Sequence, residues 1–230
     1  MRDAPKQLAF DLPLDPRYGR EDFLVSPSNE RAYALIEQWP DWPDPIVNLV
    51  GPKGSGKSHL ASIWASTAHA WTIDAFEVLG ERVPHLVSNG ALVIEDADTR
   101  ERDEPALFHL LNLCRERGGF VLLTSAAPVE AWGIKTPDLL SRLRMAPSVT
   151  LEPPDDALLK AVLVKLFVDR QLVVDTTVVD FVALRIDRSL SQAAEIVMAL
   201  DREALSRGRR ITRPMAAQIL GQTTGCDEID

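Results

Sequence analysis

The 230-residue sequence predicts an α/β fold, with a parallel-sheet domain followed by a small all-α domain. Three observations carry this prediction. Short apolar runs rich in β-branched residues alternate with helical patterns over the first two thirds of the chain, as in a parallel sheet covered on both faces. A glycine-rich segment, Gly51-Pro52-Lys53-Gly54-Ser55-Gly56-Lys57-Ser58, stands between one such run and a helical pattern. After Pro153-Pro154 the strand patterns stop and only helical ones follow.

The elements follow in chain order. Residues 1–20 carry Pro5, Pro13 and Pro16 around a short apolar cluster, Leu8 to Leu14, and read as a flexible tail. The sheet domain is expected over 21–153. It opens with a helix from Ser28 to Trp39, with Ser28 as N-cap; Arg31 replaces the glutamate of a capping box. Pro40, Pro43 and Pro45 then break the chain. Strands are predicted over 46–50, 71–74, 91–96, 120–124 and 148–151, and helices over 57–70 and 105–117. The second helix places Leu107, Leu110, Leu111 and Cys114 on one face and ends at Gly118-Gly119. Helices over 155–170, 176–185, 190–206 and 214–220 make up a domain at 154–222, ahead of an acidic tail at 223–230. The five tryptophans read as core or rim packing.

Composition excludes several classes. Twenty-five basic against 34 acidic side chains give a net charge of −9, unsuited to coating DNA, so no strong direct DNA binding is expected. Cys114 and Cys226 lie far apart, no C-x-x-C occurs, and the four histidines lack zinc spacing, which argues against a disulfide framework or a structural zinc. No apolar run approaches the ~18 residues of a membrane span, and no secretion signal is recognisable. The expected location is the cytoplasm, with no membrane partner.

The segment 51–58 fits G-x-x-x-x-G-K-[ST] at every fixed position, in the strand–loop–helix context that the chemistry requires. Glycines let successive backbone N–H groups turn inward as an anion nest, and the following helix adds its positive end. Lys57 would reach the β- and γ-phosphates of a nucleotide, and the Ser58 hydroxyl would bind Mg²⁺. Glu95 and Asp96 end a buried strand where a Walker B pair belongs. Glu95 would hold the metal, and Asp96 would polarise the attacking water. Asp98 and Asp103 read as surface charges.

Four segments give the chain a wider resemblance. Arg20 to Asn29 resembles F-x-x-F-V-x-G-x-S-N, Gly51 to Leu60 resembles G-x-x-G-x-G-K-T-H-L, Leu139 to Leu143 resembles L-x-S-R-[FL], and Leu151 to Asp155 resembles I-x-P-P-D. Together they resemble the AAA+ family, and within it the replication initiator DnaA and its short Hda-type homologues, over about residues 18–220. The resemblance implies a P-loop AAA+ sheet domain with a helical lid, and ADP or ATP with Mg²⁺ held by residues 51–58 and His59. It implies Phe23 and Val25 near the adenine, and Arg142 as an arginine finger facing the nucleotide of a neighbouring subunit. Two positions depart from it. Thr124-Ser125-Ala126 carries Ala126 where the family has an acid, and Ser191 falls at the sensor 2 arginine, with Arg188 one turn earlier. Intrinsic ATP hydrolysis is therefore expected to be weak at most. The chain ends about ten residues past Leu220, leaving no room for the helix-turn-helix DNA-binding domain of an initiator.

In the tail, Gln7-Leu8-Ala9-Phe10-Asp11-Leu12 resembles the sliding-clamp motif Q-L-x-[LF]-x-[LF]. Gln7 would hydrogen-bond at a pocket rim, and Leu8, Phe10 and Leu12 would supply apolar anchors along an extended peptide. The function this implies is negative regulation of replication initiation: bound to the DNA polymerase III sliding clamp, the protein stimulates ATP hydrolysis by DnaA. The alternative is a stand-alone AAA+ ATPase or helicase loader working as a homo-oligomer. A P-loop small-molecule kinase would need an arginine-rich lid around an acceptor pocket, which the C-terminal helices do not resemble.

Overall fold

The computed structural model describes residues 18–223. The tail motif Gln7, Leu8, Phe10, Leu12 and the acidic residues 224–230 lie outside them. The chain forms two compact units that divide between Pro153 and Pro154.

The first unit is built on five parallel strands: β1 (Ile46–Val50), β2 (Trp71–Asp74), β3 (Ala91–Glu95), β4 (Phe120–Ser125) and β5 (Ser148–Thr150). Their order across the sheet is β2-β3-β4-β1-β5. The inner strands are almost wholly buried because both their faces are covered, so they read as continuous apolar runs. The edge strands β2 and β5 are largely exposed. Side chains alternate between the faces. Val47, Leu49, Val93 and Leu122 pack on α1 (Glu30–Glu37) and α2 (Lys57–Ala68). Ile46, Leu92, Ile94, Val121 and Leu123 pack on α3 (Val83–Ser88), α4 (Glu104–Arg117) and α5 (Pro137–Met145). Trp42 stacks on Trp64 within the first of these cores, while Trp71 lies exposed on the edge strand.

Two local expectations are corrected. The N-cap of α1 is Asn29, not Ser28, and the helix is shorter at both ends. The Asn29 carboxamide accepts from the Ser26 N–H at 2.9 Å and donates to the Leu24 carbonyl at 3.0 Å, fixing the entry to the helix, while the Ser28 hydroxyl is engaged by that of Ser26. Asp103 is no idle surface charge, since it caps α4 by accepting from the Ala106 N–H at 3.0 Å. Helix α3 has no counterpart in the expectations. With six residues and a proline near its start, it carries too little periodicity to announce itself.

The second unit comprises α6 (Asp156–Asp169), α7 (Thr176–Ala183), α8 (Leu190–Arg207) and α9 (Arg213–Thr223) around one core that includes Leu163, Phe167, Val182, Val197 and Leu200. Asp155, Asp175 and Ser189 cap the first three helices through their side chains. Thr223, expected in the acidic tail, closes α9. No described helix is long and apolar enough to cross a membrane.

Candidate functional site

The glycine-rich loop follows β1, which lies between β4 and the edge strand β5. Its first residue is fixed by close approach: a Cβ on Gly51 would lie 2.5 Å from the Leu151 carbonyl oxygen and 2.8 Å from Ser55 Oγ. Its last glycine, Gly56, holds a φ of 104° at the start of α2, a conformation that L side chains rarely adopt. Lys57 is 8% exposed, and its ammonium donates to the carbonyls of Gly51 at 2.7 Å and Pro52 at 3.1 Å. Burial lowers its pKa, and the nearby carboxylates of Asp96, Glu95 and Asp98 oppose that shift. Ser55 Oγ is buried with no hydrogen-bond partner among the described residues. A loop whose turn depends on glycine, with an inward lysine and an unpaired buried hydroxyl, fits an anionic group such as phosphate. Pro52, Lys53 and Gly54 complete the loop wall, with Gly54 also at positive φ.

The acidic side of the site is formed where β3 and β4 end side by side. Thr124 Oγ1 donates to Glu95 Oε2 at 2.5 Å and accepts from the Asp96 N–H at 3.1 Å. Ser58 Oγ donates to the same Glu95 oxygen at 3.4 Å, linking the first turn of α2 to the end of β3. Burial pushes the Glu95 carboxyl upward, helped by the charge of Asp96, against the hydrogen bonds from Thr124 and Ser58 and the Lys57 charge. Asp96 is exposed and held at a φ of 50°. Among the described residues no cluster of three or more His, Cys, Asp or Glu side chains could cage a metal alone. Ser58 and Glu95 offer two oxygens, which suits a Mg²⁺ that takes its other ligands from nucleotide phosphates and water.

Sequence reasoning missed two parts of this arrangement. Thr124 was visible only as a hydroxyl ending an apolar strand, and its importance comes from β4 lying between β1 and β3. Asp98, expected as a surface charge, instead accepts the N–H groups of Ala126 at 2.9 Å and Ala127 at 3.1 Å, tying the loop after β3 to the loop after β4.

Phe23 and His59 come together. Their rings meet edge to face at 5.1 Å, Tyr18 packs on His59 at 5.2 Å, and His59 Nε2 is 2.9 Å from the Gly19 carbonyl oxygen. The segment before α1 is thereby anchored to the first turn of α2. Val25 is 52% exposed.

Arg142 lies on α5. It is half-buried and makes no hydrogen bond or ion pair among the described residues, whereas Arg144 pairs with Glu130 at 3.3 Å. The start of α5 is anchored by Glu104. That carboxylate accepts from the N–H and hydroxyl of Thr136, at 2.9 and 2.7 Å, and from the Lys135 N–H at 3.0 Å. Thr136 therefore occupies the N-cap position but spends its hydroxyl on α4, not on its own helix. Arg102 lies 3.7 Å from Glu104 and donates to the Trp132 carbonyl at 2.7 Å. Burial raises the Glu104 pKa, but the bonds from Thr136 and Lys135 and the Arg102 charge outweigh it, and the net shift is downward.

The chain matches no protein-family model. Among solved structures it is similar to domain III of the replication initiation protein DnaA from Thermotoga maritima, with a TM-score of 0.78 and 22% identity, over 92% of this chain and 98% of that one. It has the AAA+ fold. Further AAA+ neighbours are DnaA bound to AMPPCP and single-stranded DNA, at a TM-score of 0.66, 19% identity and 85% and 69% coverage of the two chains, and the RuvB Holliday junction branch migration motor of Thermotoga maritima, at 0.70, 16%, 89% and 72%.

Proposed function

We propose that this AAA+ module holds ADP or ATP with Mg²⁺ on residues 51–58, and that it acts chiefly on a second AAA+ protein, DnaA, rather than turning over nucleotide quickly itself. Lys57 and the loop amides would hold the phosphates, Ser58 and Glu95 the metal, and the Phe23–His59 pair would border the nucleotide. The likeness to a DnaA structure that contains AMPPCP supports an adenine nucleotide. The observation that carries the trans-acting role is Arg142, half-buried on α5 and unpaired among the described residues although a carboxylate serves its neighbour Arg144. A guanidinium is permanently charged and offers a planar fork of donors, so it can stabilise charge developing on a phosphoryl group bound by another protein. The tail motif at Gln7, Leu8, Phe10 and Leu12 would hold the protein on the sliding clamp. The result would be hydrolysis of DnaA-bound ATP and less initiation.

The test measures ATP hydrolysis by DnaA with clamp-loaded DNA. Arg142→Ala should bind nucleotide and clamp as the parent does, yet lose stimulation, by less than the roughly 10³–10⁵ of arginine fingers supplied to GTPases. Arg142→Lys should fail too, since a point charge does not reproduce the fork. Full stimulation by Arg142→Ala would refute the role. A second reading, a stand-alone ATPase or helicase loader working as a homo-oligomer, draws on the complete Ser58–Glu95–Thr124 cluster. Brisk turnover without DnaA would select it.

A further inference from the structure

The helical unit carries a local charge opposite to that of the chain. Residues 202–213 contain five arginines (Arg202, Arg207, Arg209, Arg210 and Arg213) against one acid, Glu203, and no lysine, in a protein of net charge −9. A whole-chain sum hides this segment. In the structure it forms the end of α8, the turn that follows, and the start of α9.

The turn is rigidly built. Gly208 ends α8 in the left-handed conformation at φ 59°, and the Arg209 N–H returns to the Ala204 carbonyl at 3.1 Å. Ile211, buried in the helical core, pins the turn from beneath. Arg209 and Arg210 are therefore presented outward from a fixed backbone, both exposed and both without a side-chain partner among the described residues. They border a recess of about 390 Å³ lined also by Arg207, Thr212 and Gln218. Arg207 is braced there by Glu203 and by Gln218 at 3.1 Å. The first turn of α9 holds no acidic residue, so its positive end adds to the same field.

We infer that this surface binds the phosphate backbone of duplex DNA. Arginine is the side chain whose planar donor fork matches phosphate oxygens in pairs, so less side-chain entropy is lost per hydrogen bond formed. Single-stranded nucleic acid calls for aromatic rings on which bases stack. Phe181, the ring that Arg213 covers, is occupied by Arg185 at 3.8 Å and Arg213 at 5.0 Å. A lipid surface calls for apolar side chains beside the basic ones. Over residues 202–218 the large exposed apolar side chains come down to Leu205. Backbone contact carries no sequence information, so the binding is weak and indifferent to sequence.

The full chain is titrated into a fluorescein-labelled 30-base-pair duplex of arbitrary sequence between 50 and 200 mM salt, with anisotropy as readout. The parent should bind, and more weakly as salt rises. Arg209→Ala/Arg210→Ala should weaken binding by about 10- to 100-fold. It should also reduce the slope of log K against log salt by roughly 1.8, two phosphates at about 0.9 each. Arg209→Lys/Arg210→Lys should retain most of that slope. Because both positions are exposed, the alanine variant should melt with the parent and keep its nucleotide affinity, which separates this result from any failure at the 51–58 loop. The proposal is overturned if the parent shows no salt-dependent binding to the duplex, or if the alanine variant binds as the parent does. Equal or tighter binding to the corresponding single strand, or binding to anionic phosphatidylglycerol vesicles in place of the duplex, also overturns it.

Discussion

Thr124→Val tests the hydroxyl that joins the two halves of the candidate site. Valine keeps the β-branched shape at a position with no exposure and removes only the hydroxyl. Two bonds go with it, the donation to Glu95 and the acceptance from the Asp96 N–H. A hydrogen bond to a charged partner is worth about 1.5–3 kcal/mol. The Asp96 amide lies at an exposed strand end where water can replace part of the loss, so about 0.5–1 kcal/mol is assigned to it. The expected cost is roughly 2–4 kcal/mol, or about 4–16 °C in Tm for a unit of this size. The deficit should depend on pH. Burial already holds the folded-state pKa of Glu95 above its unfolded value, and the Thr124 bond opposes that shift. Such a group favours folding at low pH and loses that contribution as pH rises through the folded pKa. Without the hydroxyl the folded pKa climbs further, so the deficit should be larger at pH 8 than at pH 5. Tryptophan fluorescence suits the measurement, because all five tryptophans lie in the α/β unit and report its unfolding alone. Thr124→Ser should recover most of the loss. A Thr124→Val protein melting within about 1 °C of the parent at pH 8, or with equal deficits at both pH values, would refute the reasoning.

Two further outcomes follow from the same geometry. Lys57→Ala should weaken ADP binding by about 10- to 100-fold in calorimetric titration, since one charge-assisted contact is lost; unchanged affinity would remove the loop as the phosphate site. Glu104→Gln should lower Tm at pH 7, by about 1 kcal/mol or more in stability, because a carboxamide offers one acceptor oxygen where the carboxylate uses two. The folded pKa of Glu104 is depressed, so its contribution is present above the unfolded carboxyl pKa and is lost as pH falls through the folded one. The gap between parent and variant should therefore close on acidification from pH 6 to pH 3, and a gap constant with pH would count against the carboxylate as the anchor of α5.

What could be read from residues alone was whatever depends on short-range pattern. The loop at 51–58 is contiguous, and the buried strands announce themselves by unbroken apolar runs such as Val121-Leu122-Leu123. Helix α8 needed only its periodicity and the glycine after it, and it extends over Leu190–Arg207 against an expected 190–206. What could not be read depends on which strands become neighbours. Thr124 meets Glu95 because β4 pairs with β3, across 29 residues of sequence. Asp98 meets Ala126 for the same reason, and Glu104 meets Thr136 across 32 residues. Isolated acids look alike in a sequence; only the fold sets one beside Thr124 and Ser58, another on a loop and a third at the start of a helix. The five arginines at 202–213 were contiguous enough to be seen, but averaging charge over the whole chain concealed them.

The tight fit at Gly51 has a mechanical consequence. The atom that forbids a side chain there is the carbonyl oxygen of Leu151, whose own N–H is tied to Val50 at 2.7 Å, while the next amide, Glu152, is tied to Ser28 at 3.0 Å. The wall behind the first residue of the loop is thus the exit strap of the α/β unit, laced to β1 on one side and to the approach to α1 on the other. Any side chain at position 51 would have to push that strap aside, two residues before the chain leaves the unit.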